Sequence, residues 1–220
     1  MHFESSYIVE IFPVGLFQCN CILIGDPKTK KALVIDPGDE VQKIMQRVTK
    51  HQLTIESVLH THTHIDHIGA TTALQKLTNA KVFLHREDLF LYEKMAMQAD
   101  FLGIASDQVE TPAEVSSFLT DGSEVSAGQL KGQAIHAPGH TPGSCGFFFP
   151  DLSQVGVLFA GDTLFAGSIG RTDLWKGDTH QEISSIKKKF FPLGDEVLVV
   201  PGHGSATTIE IERKENPFLI

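Results

Sequence analysis

The segment HTHTHIDH, which runs from His60 to His67, constrains this chain of 220 residues more than any other stretch. It holds four of the eleven histidines and directly follows an apolar run that ends at Leu59. A loop at the end of a buried strand is where an α/β sheet usually builds its site. Neutral imidazoles and carboxylates are ligands of zinc and of non-haem iron. The segment therefore predicts a metal site at the end of a strand.

The candidate ligands in this segment are His62, His64, Asp66 and His67. Residues two apart in such a turn can point the same way while their neighbours point elsewhere. One segment can therefore serve two adjacent ions.

Three further candidate ligands lie far along the chain. His140 stands in APGHTPGS, Asp162 in FAGDTLF and His203 in VVPGHGS. Each follows an apolar run and is flanked by glycine, which allows close backbone approach and positive φ. A single HxH or Gly-His-Gly is more often structural. Five histidines and two aspartates, all at strand ends, indicate one metal centre.

Short apolar runs closed by Gly, Pro, Asp or His recur along the chain and predict strands. They are Tyr7–Val14, Cys21–Gly25, Ala32–Ile35, Ile55–Leu59, Lys81–Leu84, Gly132–His136, Cys145–Phe149, Gly156–Ala160 and Glu196–Val200. Spacings of three and four predict helices between them. These are Glu40–Lys50, Ile68–Leu77, Glu87–Gln98 and Gln181–Phe190. The mixture predicts an α/β protein in which helices cover sheets, with one domain over residues 1–220.

Two local expectations accompany this pattern. Asp178 or Thr179 is a candidate cap for the last helix, and Glu182 then stands where a capping box places its acidic residue. The stretch Phe101–Gly128 shows little pattern, and we expect part of it to be loop.

Composition excludes several classes of protein. The sequence contains no run of 18 apolar residues, so we expect no transmembrane helix. The N-terminus MHFESSYIVE lacks the features of a secretory signal. The net charge of −9 argues against nucleic acid or an anionic membrane as partner. Three cysteines argue against a disulfide framework. We expect a cytoplasmic protein, with its oligomeric state open.

The ligand pattern resembles that of the metallo-β-lactamase superfamily. HTHIDH matches the HxHxDH motif of that family, and the later ligands follow in the same order. The resemblance extends to VIDPG at Val34–Gly38. Within the superfamily the chain is similar to short glyoxalase II-like hydroxyacylglutathione hydrolases. That similarity lies in GDTLFAGSIGRTDL (Gly161–Leu174), PGHGSATTI (Pro201–Ile209) and NPFL (Asn216–Leu219).

The resemblance implies a four-layer αβ/βα sandwich, with two mixed sheets flanked by helices and the metals at one edge. It implies two divalent metal ions, zinc first and iron or manganese as alternatives. One ion would be held by His62, His64 and His140, the other by Asp66, His67 and His203, with Asp162 between them. Asp36 would orient a ligand, although a turn after a strand explains it equally well.

The resemblance also implies a metal-dependent hydrolase whose substrate is a small molecule, most simply a glutathione thioester such as S-lactoylglutathione. A metal lowers the pKa of water toward about 7, and the resulting hydroxide attacks the carbonyl. Asp66 is the residue expected to hold or accept the proton of that water. Arg171 stands where longer glyoxalase II proteins carry a basic residue that contacts glutathione. A structural ion pair is the alternative role for Arg171.

Other activities of the same fold stay open. An iron-dependent persulfide dioxygenase would use His62, His140 and Asp162 as a facial triad, and the ligand set alone does not separate it from a hydrolase. A lactonase or β-lactamase would use the same hydroxide, and a metal-binding module without activity is a further alternative. Classical glyoxalase II proteins have a C-terminal helical domain that contacts glutathione. Only 17 residues follow His203, so we do not transfer those contacts.

Overall fold

The computed structural model describes residues 4–104 and 109–220. The strands of the first sheet are β1 (Ile8–Val14), β2 (Cys19–Gly25), β3 (Lys31–Ile35), β4 (Thr54–Leu59), β5 (Lys81–His85) and β6 (Ser117–Leu119). They lie side by side in chain order. The pairs β1–β2 and β2–β3 are antiparallel, whereas β3 to β6 run parallel. The first sheet is therefore mixed.

The remaining strands are β7 (Glu124–Ala127), β8 (Leu130–His136), β9 (Cys145–Phe149), β10 (Val157–Gly161), β11 (Leu164–Phe165), β12 (Ser168–Ile169), β13 (Leu198–Pro201) and β14 (Thr207–Thr208). Six of them form a second sheet in the order β14-β13-β10-β9-β8-β7, and β11 pairs with β12. Strands β10 and β13 are parallel, while the other neighbours are antiparallel. The second sheet is also mixed.

Helices lie between the strands. They are α1 (Val41–His51), α2 (Ile65–Ile68), α3 (Thr71–Thr78), α4 (Leu89–Tyr92), α5 (Met95–Phe101), α6 (Thr179–Ser185) and α7 (Ile209–Glu215). A π turn and a 3-10 turn continue α6 as far as Leu193. Across residues 4–104 and 109–220, none of the helices has the length and apolar character needed to cross a membrane.

Three apolar layers hold these elements together. Between the two sheets, Ile24 and Leu33 of the first pack in one cluster with Phe159 of the second. The opposite face of the first sheet packs against α1 and α3 in a second cluster, which includes Ile44. The outer face of the second sheet packs against the π turn and α7, around Phe190. The result is the four-layer αβ/βα sandwich, as predicted from the resemblance.

The topology brings the chemically interesting loops to one edge of the sandwich. Since β3 and β4 are parallel, and β10 and β13 are parallel, the loops after each pair emerge on the same side. The two sheets also join there, because the Asn20 N–H donates to the Gly202 carbonyl oxygen at 2.7 Å. The site is therefore built by both halves of the sandwich.

Two stretches differ from the sequence-based expectation. The helix predicted over Glu87–Gln98 is interrupted, since a 3-10 turn at Arg86–Asp88 precedes two short helices. The Thr63 hydroxyl donates to the backbone carbonyl of Asp88 at 3.0 Å. This hydrogen bond connects the start of the predicted helix to the loop that contains Thr63. The stretch Phe101–Gly128 contains β6 and β7, and its residues 105–108 lie outside the described residues.

Candidate metal centre

Three buried histidines converge at the edge of the sandwich. The Nε2 atom of His62 lies 3.1 Å from Nδ1 of His64, and Nε2 of His140 lies 2.9 Å from that same atom. The two Nε2 atoms are 3.2 Å apart. A tetrahedral ion with bonds of about 2.0–2.1 Å separates its ligands by about 3.3 Å. The spacing of this three-histidine group is therefore close to that of a metal site.

The hydrogen bonds on the outer side of this group show which ring nitrogens of His62 and His140 carry a hydrogen. The Nδ1 atom of His140 lies 2.7 Å from the Arg171 carbonyl, which only accepts, so Nδ1 carries the hydrogen. The Thr61 hydroxyl donates to Asp36 at 2.6 Å and therefore accepts from Nδ1 of His62. The Nε2 lone pairs of His62 and His140 consequently face each other. Two lone pairs cannot hydrogen-bond, whereas a cation between them satisfies both.

A second group lies beside the first. Asp66 Oδ2 and His67 Nε2 each lie 3.2 Å from Nε2 of His203. On the outer side, Nδ1 of His67 donates to Asp36 at 3.0 Å, and Nδ1 of His203 donates to the Phe17 carbonyl at 2.9 Å. Their Nε2 atoms are left to face inward. This donor set also fits a divalent ion.

Asp162 lies between the two groups. Its Oδ1 is 3.4 Å from Nε2 of His67, and its Oδ2 is 3.7 Å from Nε2 of His203 and 3.8 Å from Nε2 of His140. The Oδ1 atom is buried without a hydrogen-bond partner in the described part of the chain. This carboxylate thus has the position of a bridge.

In the first group and at the two aspartates, electrostatics favour the protonation states that metal ligands need. Burial lowers the pKa of His62 and of His140, and it lowers that of His64 to about 3, so the first group is neutral at pH 7. Burial raises the pKa of Asp66 and Asp162, but nearby histidines, His67 first, lower both by more. Neutral imidazoles beside ionised carboxylates attract a cation.

His203 differs from the first group of histidines. Burial lowers its pKa, but the hydrogen bond to Asp66 and the charge of Asp162 raise it, and the net shift is upward. The carboxylates beside the second group therefore stabilise positive charge there more strongly than the surroundings of the first group do.

The structure brings together the seven ligands predicted from the sequence, and it places Asp36 behind them. The Asp36 carboxylate accepts from the Thr61 backbone N–H at 2.8 Å, in addition to its bonds to the Thr61 hydroxyl and His67. Arg171 lines a cavity that lies over these residues, but its guanidinium forms an exposed two-bond ion pair with Asp173 at 2.8 and 2.9 Å. Whether Arg171 contacts a substrate stays a prediction.

The cavity over the metal centre is bordered by apolar side chains. Phe17, Leu102, Leu174 and Trp175 line it together with four of the candidate ligands. The ring of Trp175 lies 5.2 Å from that of His64. These residues were not predicted, because isolated apolar residues in loops give no periodic signal.

Sequence reasoning also missed the contribution of three buried polar residues behind the histidines. Glu182 Oε2 accepts from the His140 backbone N–H at 2.8 Å, and burial raises the pKa of Glu182 to about 9. The capping box predicted for Glu182 is absent, since Asp178 caps α6 through the Gln181 N–H at 3.0 Å. Asp88 and Gln98 hold the loop around Thr63.

Comparison with known proteins places this site in a family. Residues 14–203 match the family model of the metallo-beta-lactamase superfamily, and the chain belongs to that superfamily of metallo-hydrolases. It is 40% identical over 212 residues to hydroxyacylglutathione hydrolase GloC of Haemophilus influenzae, covering 96% of this chain and 97% of the relative. Members of the superfamily bind divalent metals, often two.

Two solved structures are also similar. BLEG-1 B3 metallo-beta-lactamase shares 34% identity with a TM-score of 0.86, covering 96% of this chain and 99% of its own. TTHA1623, solved in a di-iron-bound form, shares 34% identity with a TM-score of 0.83, covering 94% of this chain and 98% of its own. A relative with two irons leaves the identity of the metal in this chain open.

Proposed function

We propose that this chain hydrolyses a glutathione thioester, such as S-lactoylglutathione, with the help of two divalent metal ions. The observation that carries the proposal is that two groups of donor side chains lie next to each other. Every histidine in them turns one ring nitrogen toward the centre of its group, and most of these histidines form a hydrogen bond elsewhere through the outer nitrogen. The relative named hydroxyacylglutathione hydrolase supports the choice of substrate. Zinc is the first candidate, and iron and manganese suit the same donors.

Each candidate ligand has a role in this proposal. His62, His64 and His140 would hold one ion, Asp66, His67 and His203 the other, and Asp162 would contact both. Bound ions would lower the pKa of water toward about 7 and polarise the thioester carbonyl. Asp36 fixes the orientation of His67 directly and that of His62 through the Thr61 hydroxyl.

Asp66 is the group that we assign to the proton of the attacking water. Its carboxylate lines the cavity and keeps a lowered pKa, so it is available to accept a hydrogen bond at neutral pH. The leaving group of a thioester is a thiolate. Because thiols have pKa values near about 8.5, the departing sulfur needs little help from an acid. Arg171 at the rim would meet a carboxylate of the substrate.

The cysteines are not assigned a role as nucleophiles. All three are free and buried. Burial raises the pKa of Cys19 to about 12 and that of Cys145 further above the ordinary value, so neither thiol ionises at neutral pH. Free thiols fit the reducing cytoplasm that we propose as the location of the protein.

The test is turnover of S-lactoylglutathione by purified protein of known metal content, followed as loss of thioester absorbance. We expect turnover that a chelator abolishes and added metal restores. Asp162→Asn should lose activity and metal, whereas Asp151→Asn, a change at a residue exposed outside the site, should lose neither. Protein that holds two ions and leaves the thioester intact would refute this substrate class.

A persulfide dioxygenase is the second candidate. The atoms of its facial triad are present, since Nε2 of His62 lies 3.2 Å from Nε2 of His140, which in turn lies 3.8 Å from Asp162 Oδ2. A single bound iron, with oxygen uptake on glutathione persulfide and no thioester turnover, would establish it. Hydrolysis of a β-lactam alone would instead favour an activity like that named for BLEG-1.

A further inference from the structure

We propose that Asp88 is a positioning residue that sets the spacing of the three-histidine group. Its carboxylate joins the loop that holds His62 and His64 to the loop that holds His140. The inference rests on the proposed function in one respect, namely that these three histidines hold an ion.

The hydrogen bonds of Asp88 reach both loops. Oδ2 accepts from the Thr63 backbone N–H at 3.1 Å and from the Thr141 hydroxyl at 2.8 Å. Oδ1 accepts from the Gly143 backbone N–H at 2.6 Å. Thr63 stands between two of the histidines, and Thr141 directly follows the third. One carboxylate thus ties together segments that are almost eighty residues apart in the chain.

The surroundings require a carboxylate at this position. Asp88 is fully buried, and all three groups that face its oxygens are donors. An amide would turn an N–H toward one of these donors and leave it unsatisfied, which costs about 1–3 kcal/mol in a buried place. A carboxylate satisfies all three donors, because it accepts through both oxygens.

Gly143 shows how closely the two loops approach each other. A Cβ atom added there would lie 2.6 Å from both Cγ and Oδ1 of Asp88, much closer than van der Waals contact. The glycine of the TPGS sequence therefore makes room for this carboxylate. The 3-10 turn at Arg86–Asp88 carries the aspartate itself.

Among the described residues, the Asp88 carboxylate makes no hydrogen bond to Asp66, His67 or His203 of the second group. Gln98 holds the same loop through the Thr63 carbonyl and the Ile65 N–H, each at 3.0 Å, but in the described residues it makes no hydrogen bond to the His140 loop. The bonds of Asp88 end at the two loops of the three-histidine group. Loss of Asp88 should therefore weaken one ion-binding step selectively.

The experiment compares Asp88→Asn with Asp26→Asn. Asp26 is a matched control, since it is also a buried carboxylate that joins two segments, through the N–H groups of Thr29 and Gln129, at a distance from the site. Stepwise Zn²⁺ affinities are measured by competition with a chromophoric chelator, and folding by circular dichroism. His64→Ala and His203→Ala identify which affinity step belongs to which group.

We expect Asp88→Asn to lower the affinity of the His64-dependent step by about 10–100-fold, the range found for residues that orient metal ligands. The His203-dependent step and both steps in Asp26→Asn should be unchanged. Thr141→Val removes one of the three bonds and should weaken the same step less, which keeps the test available if Asp88→Asn does not fold. Equal loss of both steps, or no loss, would overturn the inference.

The two proposals fail in different ways. Wild-type protein that binds two ions but leaves S-lactoylglutathione intact refutes the proposed substrate and leaves the role of Asp88 standing if the selective loss is seen. Wild-type protein with no His64-dependent step overturns the inference itself.

Discussion

Gly202→Ala should inactivate the protein without unfolding it. A Cβ atom at position 202 would lie 2.7 Å from Cε1 of His67 and closer still to Oδ1 of Asp162. Ordinary contact begins near 3.4 Å, so His67 would have to move by about 0.7 Å and Asp162 by about 1 Å or more. The φ of Gly202 is outside the left-handed region, so alanine adds no backbone strain of its own.

A displacement of this size has a predictable cost. A misplacement of about 1 Å reduces the rate of an enzyme by about 100-fold, which corresponds to about 2.7 kcal/mol of transition-state stabilisation. We therefore expect kcat/KM for S-lactoylglutathione to fall by about two orders of magnitude. Metal content should fall as well, because the displaced carboxylate lies between the two groups.

The assay combines metal analysis, thioester turnover and circular dichroism. Gly122→Ala is the control, since that glycine has open space around it, although its φ of 82° makes alanine strained there. The control should lose about 1–2 kcal/mol of stability and keep its activity. A Gly202→Ala protein with wild-type turnover and metal content would refute the bridging position of Asp162.

Three further changes test other parts of the structure. Phe159→Ala empties a fully buried position between the two sheets and should lower the free energy of unfolding by about 3–5 kcal/mol, measured by urea titration. Arg171→Ala should change stability by less than about 1 kcal/mol, because its ion pair is exposed. The same change should raise KM more for glutathione thioesters than for uncharged thioesters. Equal effects on both would show that Arg171 does not contact the substrate. Burial raises the pKa of Asp26, but hydrogen bonds, the Gln129 N–H first, lower it to about 2. The stability that Asp26 contributes should therefore be present above pH 4 and lost toward pH 2, so the difference between wild type and Asp26→Asn should shrink with acid; a constant difference would contradict this.

The candidate ligands stand out in the sequence because their signal is local. Four of them lie in one segment that directly follows an apolar run, the other three each lie next to glycine after such a run, and the order of the pieces is specific. Asp36 was ambiguous from the sequence, since Asp-Pro-Gly after a strand is also an ordinary turn. Its bonds to Thr61 and His67 come from the parallel pairing of β3 with β4, which the sequence does not display.

The supporting residues were not predictable for a related reason. Asp88 and Gln98 stand in a stretch with helical spacing, and Glu182 stands where a capping box fits. Their actual partners are mostly backbone groups of loops that are distant in the sequence. The short strands β6 and β7 were also missed, because three or four residues give too little alternation to distinguish a strand from a loop.

The distribution of the seven candidate ligands along the chain affects how metal influences folding. Four of them lie within His62–His67, whereas the other three arrive from strands of the second sheet. An unfolded chain therefore retains a short peptide that is able to chelate. Because binding to the unfolded ensemble offsets binding to the native state, added zinc should raise the melting temperature by less than its native-state affinity implies. During refolding, the same peptide would capture metal before the second sheet has assembled.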